Sequence, residues 1–163
     1  MGRGREWPLI GAMLMAATTG CGEPPFDEPA RQAVADTIRA ESQRMLAVMK
    51  TRDPDSVLAF YGRATAYVGD GAIGDWDAIV AGTPARYRSY TRVDCEWKAP
   101  LRVDVLTRTS AVVTAVLGCQ KADTSGAAWV EEVARTEVLA PSGGRWRIVA
   151  VHESGLPGQG QLK

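Results

Sequence analysis

The second half of the chain alternates between segments rich in β-branched residues and short clusters of turn-forming residues. Four segments are candidate strands: 93–106, 111–120, 128–139 and 145–153. The clusters between them, at 107–110, 122–126 and 141–144, contain the Gly, Pro, Asp, Ser and Thr residues that favour tight turns. Three successive hairpins predict an antiparallel meander, and this pattern restricts the fold more than any other feature of the sequence.

The segment before the strands has the periodicity of helices. The apolar positions that recur at helical spacing over 30–50 are Val34, Ile38, Met45 and Met49. A short second helix is predicted over 54–61, because Asp53 is a suitable N-cap and a proline follows at the first helical position. A third helix is predicted to start at 75–80. Helices followed by a run of strands are typical of the α+β class.

The length and charge of the chain limit its size class and its partners. The chain has 163 residues, of which 45% are hydrophobic, and this is enough for one domain with one core. Its 19 Lys and Arg residues balance its 19 Asp and Glu residues. Because no net positive charge is available to attract phosphates, nucleic acid is not expected as a partner.

The N-terminus has the order of features found in export signals. Arg3 and Arg5 form a basic head, 7–15 is apolar, and the small residues of 16–20 precede Cys21. The apolar run is shorter than the about 20 residues that a membrane-spanning helix needs. The stretch resembles the lipobox of bacterial lipoproteins, which implies that Cys21 is acylated and becomes the mature N-terminus, anchored in the membrane by its lipid.

An unmodified secretory signal is the alternative interpretation of this segment. Cleavage would then occur near Ala17 or Gly20, and Cys21 would have no special role. Under the lipoprotein interpretation the protein belongs to the cell envelope, and Gly22 after the cysteine permits the outer membrane or the periplasmic side in a diderm host. The predicted organisation is a signal peptide, a proline-rich tether, one folded domain and a flexible tail, at 1–20, 21–29, 30–154 and 155–163.

Four motifs together resemble the SnoaL-like and DUF4440 branch of the NTF2-like superfamily. They are the segment 53–61, Ala64-Thr65-Ala66-Tyr67-Val68, Gly74-x-x-x-Ala78-Ile79 and the closing Trp146-Arg147-Ile148-Val149-x-x-His152-x-Ser154. The resemblance implies a cone in which N-terminal helices pack on a strongly curved, mostly antiparallel sheet and leave a pocket at the open end. It also implies that a homodimer can form through the outer face of the sheet.

The pocket is predicted from strand alternation and from this resemblance. Alternate residues of a strand share a face, so the last strand is expected to direct Trp146, Ile148, Ala150, His152 and Ser154 to one side. The predicted ligand pocket consists of His152, Trp146, Ile148, Tyr67, Asp70 and Tyr61. Further aromatic candidates for its wall are Trp76, Tyr87, Tyr90 and Trp97.

The preceding predicted strand, 128–139, has an apolar face and a mixed face. Val130, Ala134, Thr136 and Val138 share the first. The mixed face, which we expect to be the dimer surface, carries Trp129, Glu131, Val133, Arg135, Glu137 and Leu139.

Three classes of function are compatible with these residues. The first is a binding module that holds a small apolar or carbonyl-bearing molecule in the cone. The second is an isomerase-type enzyme with His152 as the candidate catalytic acid or base, since histidine titrates near neutrality. Val68 stands where steroid-isomerase-like relatives carry their basic aspartate, with Asp70 two residues later, and this departure counts against the enzyme. The third class is an envelope scaffold or dimerisation module without ligand.

The three cysteines and the single histidine do not have the spacing of a metal site, and no cofactor is predicted. Cys95 and Cys119 remain as a pair once Cys21 is acylated, and an exported protein permits a disulfide between them. With a two-residue loop at 108–109, direct opposition of the two cysteines requires a register offset of three residues. Pro100 is a suitable place for such an irregularity. Two buried thiols are the alternative.

Overall fold

A computed structural model of the chain describes residues 26–69 and 71–155. The elements follow in the order α1 (Glu28–Thr51), α2 (Pro54–Leu58), β1 (Tyr61–Gly69), β2 (Ala72–Gly74), α3 (Trp76–Ser89), β3 (Tyr90–Trp97), β4 (Arg102–Thr107), β5 (Ser110–Asp123), β6 (Ala128–Ser142) and β7 (Arg145–Gly155). No helix in these two ranges is both long enough and apolar enough to cross a membrane. Cys21, Asp70 and most of the predicted tail lie outside the described residues.

Each long helix begins where a carboxylate can satisfy its first free backbone N–H groups. Asp27 accepts a hydrogen bond from the Ala30 amide at 3.1 Å, and Asp75 accepts one from the Ala78 amide at 3.0 Å. Helix α1 therefore starts within the predicted tether, at Glu28. The Phe26 ring, also in that segment, lies 4.6 Å from the guanidinium of Arg31, so the end of the tether contacts the domain.

The sheet has seven strands in the order β2-β1-β7-β6-β5-β3, and β4 also pairs with β5. The pairs β5–β6 and β6–β7 form the expected antiparallel meander. Several strands differ from the sequence prediction, which included neither β1 nor β2. The predicted strand 93–106 is two strands, because the chain leaves the sheet around Pro100, and β1 is a strand that pairs in parallel with β7. The sheet is therefore mostly antiparallel, as expected for the α+β cone.

The core lies between α1 and the inner face of the sheet, which we define as the face that α1 covers. Ile38 and Met45 of α1 pack with Phe60 and with side chains from three strands: Ala111, Val113, Leu139, Ile148 and Val151. Burial of these apolar side chains is the main stabilising contribution to the fold.

A bulge in β7 changes which residues reach this inner face. Ile148 pairs with Leu139, but the next pair is Ala150 with Val138, so Val149 has no partner in β6. The extra residue reverses the alternation beyond it. Val151 and Glu153 consequently face inward, and His152 faces outward.

The pairing of β3 and β4 with β5 explains how the two cysteines meet. The register shifts by one residue between Val105 and Thr107, and by two more across the loop 98–101. Cys95 then lies directly opposite Cys119, with their Cα atoms 4.1 Å apart, and a disulfide joins them. The total offset of three residues is the one that direct opposition requires.

Candidate functional site

A cavity of about 290 Å³ lies between α3 and the inner face of the sheet. Its apolar wall comes from the helices and from β3, β5 and β6, through Met49, Val57, Ile79, Val93, Leu117 and Val133. Four tyrosines, Tyr61, Tyr67, Tyr87 and Tyr90, complete this wall. The volume is at the lower end of the range for small-molecule sites, which are mostly apolar with a few placed polar groups.

A buried ion cluster centred on Arg135 forms one end of the cavity. Arg135 is 6% exposed and donates hydrogen bonds from Nε to Glu137 and from Nη1 to Glu153. A third bond runs from its Nη2 to the hydroxyl of Tyr61 at 3.0 Å. Burial disfavours the charged guanidinium, but the surrounding Tyr61, Glu137 and Glu153 outweigh this effect and hold the pKa of Arg135 above its ordinary value.

Glu153 connects the cluster to Tyr67. The Tyr67 hydroxyl donates to Oε2 of Glu153 at 3.2 Å, while Oε1 accepts from Arg135. Gly69, two residues further along β1, leaves room for the Tyr67 phenol, because a Cβ at position 69 would overlap the Tyr67 hydroxyl. The carboxylate of Glu153 is therefore held from two sides within the cavity wall.

A second ion pair lies further along the inner face of β6. Lys121 contacts Glu131 across β5 and β6, and its side chain is only 15% exposed. Its Nζ lies 5.6 Å from the centroid of the Tyr90 ring. Glu131 and Arg135 are four residues apart on the same strand face, a separation of about 13 Å. The apolar middle of the cavity thus lies between two charged ends.

The structure brings together only part of the predicted pocket. Tyr61 and Tyr67 line the cavity, and so do Tyr87 and Tyr90 from the wider aromatic set. Ile148 belongs to the core, with Trp146 packed against it. Asp70 lies outside the described residues.

The prediction for His152 is wrong. This residue is exposed and pairs with Thr136 and Val68 on the outer face, because the bulge at Val149 reverses the side on which it projects. It does not line the cavity.

The prediction for the mixed face of β6 is also wrong. Glu131, Val133 and Arg135 line the cavity, and Glu137 and Leu139 are buried beside it. The face carries charge because those charges pair with each other and with Glu153 and Lys121 inside the cone. Charged residues at alternate positions of a strand were the one available sequence signal, and such a pattern usually indicates a face in contact with solvent.

Solved structures are similar to the chain over most of its length. A nuclear transport factor 2 (NTF2-like) superfamily protein from Salmonella enterica serovar Typhimurium has a TM-score of 0.63 at 18% identity, covering 81% of this chain and 94% of that chain. A ketosteroid isomerase-like protein from Erwinia carotovora atroseptica has a TM-score of 0.63 at 16% identity, covering 75% and 95% respectively. The chain has the NTF2-like fold.

A third NTF2-like neighbour is a type 2 hexachlorocyclohexane dehydrochlorinase (LinA). It has a TM-score of 0.70 at 10% identity, and the match covers 84% of this chain and 94% of that chain. At these identities the NTF2-like similarity establishes the fold and not the ligand or the reaction. No protein-family model matches the sequence, and no curated protein is similar to it in sequence.

The chemistry available to this NTF2-like cavity follows from its side chains. It offers an apolar volume, phenol hydroxyls and two paired carboxylates, Glu131 and Glu153. Among the described residues, no group of three or more His, Cys, Asp or Glu side chains could hold a metal ion. The arrangement can hold a small molecule and orient it by hydrogen bonds.

Proposed function

We propose that this NTF2-like protein binds a small, mainly apolar or carbonyl-bearing molecule in the cavity between α3 and the sheet. The observation that carries the proposal is the construction of the cavity wall, in which apolar side chains surround a volume of about 290 Å³ and the buried charges are paired within the protein. Paired charges do not require a ligand ion for compensation, so the apolar part of the wall provides most of the binding energy.

Acid–base catalysis is the second candidate function, with Glu153 in place of His152 as the candidate acid or base. Glu153 is a carboxylate in the cavity wall beside a phenol, which is a pairing that can move protons. Its two oxygens already accept from Arg135 and Tyr67, however, and this favours binding over chemistry. Conversion of a bound molecule by the wild type, followed by NMR and absent in Glu153→Gln, would support the enzyme.

A cavity-blocking variant tests the binding function. Gly82 lines the cavity on α3, and a Cβ added there would meet no atom within 4 Å. Gly82→Trp should therefore fill space at the cavity without displacing the wall. The neighbouring Ala81 is exposed and does not line the cavity, so Ala81→Trp is the matched control.

The measurement is the fluorescence of N-phenyl-1-naphthylamine, a neutral apolar probe, titrated with purified protein. The wild type and Ala81→Trp should bind the probe, and Gly82→Trp should not. Equal binding by all three proteins would contradict the cavity as the site. Absence of binding in the wild type would favour the scaffold, the third class of function.

We also propose that the protein is an exported lipoprotein of the SnoaL-like and DUF4440 branch, anchored in the cell envelope through Cys21. The order of basic, apolar and small residues before Cys21 supports export, and a disulfide between Cys95 and Cys119 is suited to an oxidising compartment. Metabolic labelling with a fatty acid should mark the wild type and not Cys21→Ala. Equal membrane partitioning of the two proteins would contradict the anchor.

A second copy of the chain is the proposed partner of the outer face of the sheet. The middle of that face presents small side chains, among them Val112, Thr114, Ala134, Thr136, Val138 and Ala150, and the charged Asp104 and Glu132 lie beside them on the same face. A surface of small apolar and hydroxyl side chains allows two copies to approach closely, with the same patch on both copies around a two-fold axis.

A further inference from the structure

Tyr87 is the one buried residue of α3, and it lines the cavity at 8% exposure. Its hydroxyl forms no hydrogen bond with any residue in 26–69 or 71–155. The other phenols at this end of the cavity are engaged: Tyr61 accepts from Arg135, and Tyr67 donates to Glu153. Among the described residues the Tyr87 oxygen is not one of the fully buried atoms that lack a partner, so it is open to the cavity and can donate to a molecule bound there.

The protonation state of Tyr87 makes it a hydrogen-bond donor. Burial raises the pKa of the Tyr87 phenol above its ordinary value, and the neighbouring Tyr61 adds to the increase. The hydroxyl therefore keeps its proton at every physiological pH. A neutral phenol donates well to a carbonyl oxygen, and each such bond contributes about 0.5–1.5 kcal/mol in proteins.

The charge around the cavity indicates an uncharged ligand. The two least exposed cations of the wall, Lys121 and Arg135, are paired with Glu131, Glu137 and Glu153. Glu137 lies directly behind the wall, in contact with Arg135, and Arg86, the third cation of the lining, is exposed. An ionic ligand at the end of the cavity that Arg135 closes would lose its hydration without gaining a counter-charge, because the charges there already pair with one another.

From these observations we propose that the Tyr87 hydroxyl donates a hydrogen bond to the acceptor oxygen of a neutral, compact, mainly apolar carbonyl compound. This inference rests on the proposed binding function and names the class of ligand. The cavity volume of about 290 Å³ suits a molecule of about two fused rings. The carbonyl oxygen lies at the end of the cavity that Tyr61 and Arg135 close, and the ring system contacts the apolar wall.

Displacement of N-phenyl-1-naphthylamine by matched naphthalenes tests the proposal. 2-Acetylnaphthalene has a carbonyl acceptor, 2-ethylnaphthalene has nearly the same shape without it, and 2-naphthoate carries a negative charge. The wild type should bind the acetyl compound about 3- to 10-fold more tightly than the ethyl compound, and the carboxylate most weakly. Tyr87→Phe, which removes only the hydroxyl, should bind the acetyl and ethyl compounds equally.

Two further variants complete the test. His152 lies on the outer face, so His152→Gln should keep the wild-type preference for the acetyl over the ethyl compound and controls for general effects of substitution. Tyr90 also lines the cavity with a hydroxyl that has no partner among the described residues, so Tyr90→Phe tests the competing possibility that this phenol, and not Tyr87, donates to the carbonyl. Loss of the preference in Tyr90→Phe and not in Tyr87→Phe would overturn the proposal.

The outcomes separate this inference from the binding function. If the wild type binds the probe and both neutral naphthalenes with equal affinity, the cavity binds ligands and the role of Tyr87 is refuted. Tighter binding of 2-naphthoate than of 2-acetylnaphthalene would refute the neutral class. If the wild type binds neither the probe nor any naphthalene, the proposed function itself fails. Circular dichroism and the melting temperature of Tyr87→Phe establish that the variant is folded.

Discussion

Over residues 134–138, the two faces of β6 have compositions opposite to those expected of a protein interior and its surface. The inner face of β6 carries Glu131, Arg135 and Glu137, and the last two are 6% and 2% exposed. The outer face of the same strand carries Ala134, Thr136 and Val138, without charge among these three. Hydrophobicity alone would assign the faces the other way round.

The difference shows that pairing decides whether a charged residue can be buried. Arg135 has two carboxylates and a phenol as partners, so its charge and theirs are compensated inside the cone. Replacement of such a compensated cluster by a hydrophobic core is often neutral or stabilising, so burial of these charges is not explained by stability alone. The outer face has no such constraint and is free to contact another surface.

The largest expected effect comes from removal of the central inner charge. Arg135→Met leaves Glu137 and Glu153 buried without their cation and should lower the free energy of unfolding by about 3–5 kcal/mol. The control is Arg102→Met, at a side chain that is 75% exposed and paired with Asp104, where the loss should be about 0–1 kcal/mol. Urea unfolding followed by circular dichroism measures both. Similar losses in the two variants would contradict the importance of pairing on the inner face.

The disulfide is expected to have the next largest effect. Cys119 is buried on the inner face, and its bond to Cys95 closes a loop with a sequence separation of 24 residues. Cys95→Ala combined with Cys119→Ala should lower the free energy of unfolding by about 2–4 kcal/mol, because the unfolded chain regains the entropy of that loop. Thiol titration of the denatured, non-reduced protein checks the premise. Two reactive thiols besides Cys21 would show that the bond is absent.

A charge placed on the outer face should act on association and not on folding. Thr136→Arg brings like charges together across a two-fold axis through this face, and the dimer Kd should rise at least about tenfold, or about 1.4 kcal/mol. Sedimentation velocity at several concentrations measures the change. Ala81→Arg, at an exposed position of α3 on the opposite side of the sheet, is the comparison variant and should leave the Kd unchanged. A monomer at all concentrations in the wild type would refute the homodimer.

The smallest effect is expected at His152. Its imidazole is exposed on the outer face, so His152→Gln should change the free energy of unfolding by no more than about 0.5 kcal/mol. Binding of N-phenyl-1-naphthylamine should be the same in the wild type and in His152→Gln, because the imidazole does not line the cavity. A loss of probe binding in the variant would place the histidine at the ligand after all.

Local patterns predicted most of the elements but not the details of the sheet. The meander of β5, β6 and β7 could be recognised because its β-branched segments are bounded by turn residues. β1 could not be predicted as a strand from its own pattern, because Gly62, Arg63 and Ala64 do not alternate apolar and polar residues. Residues 64–68 were identified only as a motif of the family resemblance. The pairing of β1 with β7 is a contact between distant parts of the chain.

The candidate site could be predicted only in part for the same reason. Tyr61 and Tyr67 were found because aromatic residues near the predicted open end are reasonable wall residues. Arg135 and Glu153 were missed, since a charged residue in a strand is usually exposed unless a partner is known. Two of the partners of Arg135 are distant in the sequence: Glu153 of β7 is 18 residues further on, and Tyr61 of β1 is 74 residues earlier.

The sequence by itself determined the α+β class, the caps of the helices, the hairpin order and the single core. These features depend on periodicity, on capping side chains and on turn residues, which act within a few residues of one another. The tertiary structure alone decided which face of each strand is inside. One unpaired residue, Val149, reverses the alternation in β7, and it turns His152 outward and Glu153 inward to meet Arg135. A bulge arises from pairing between strands, so no pattern within β7 could reveal it.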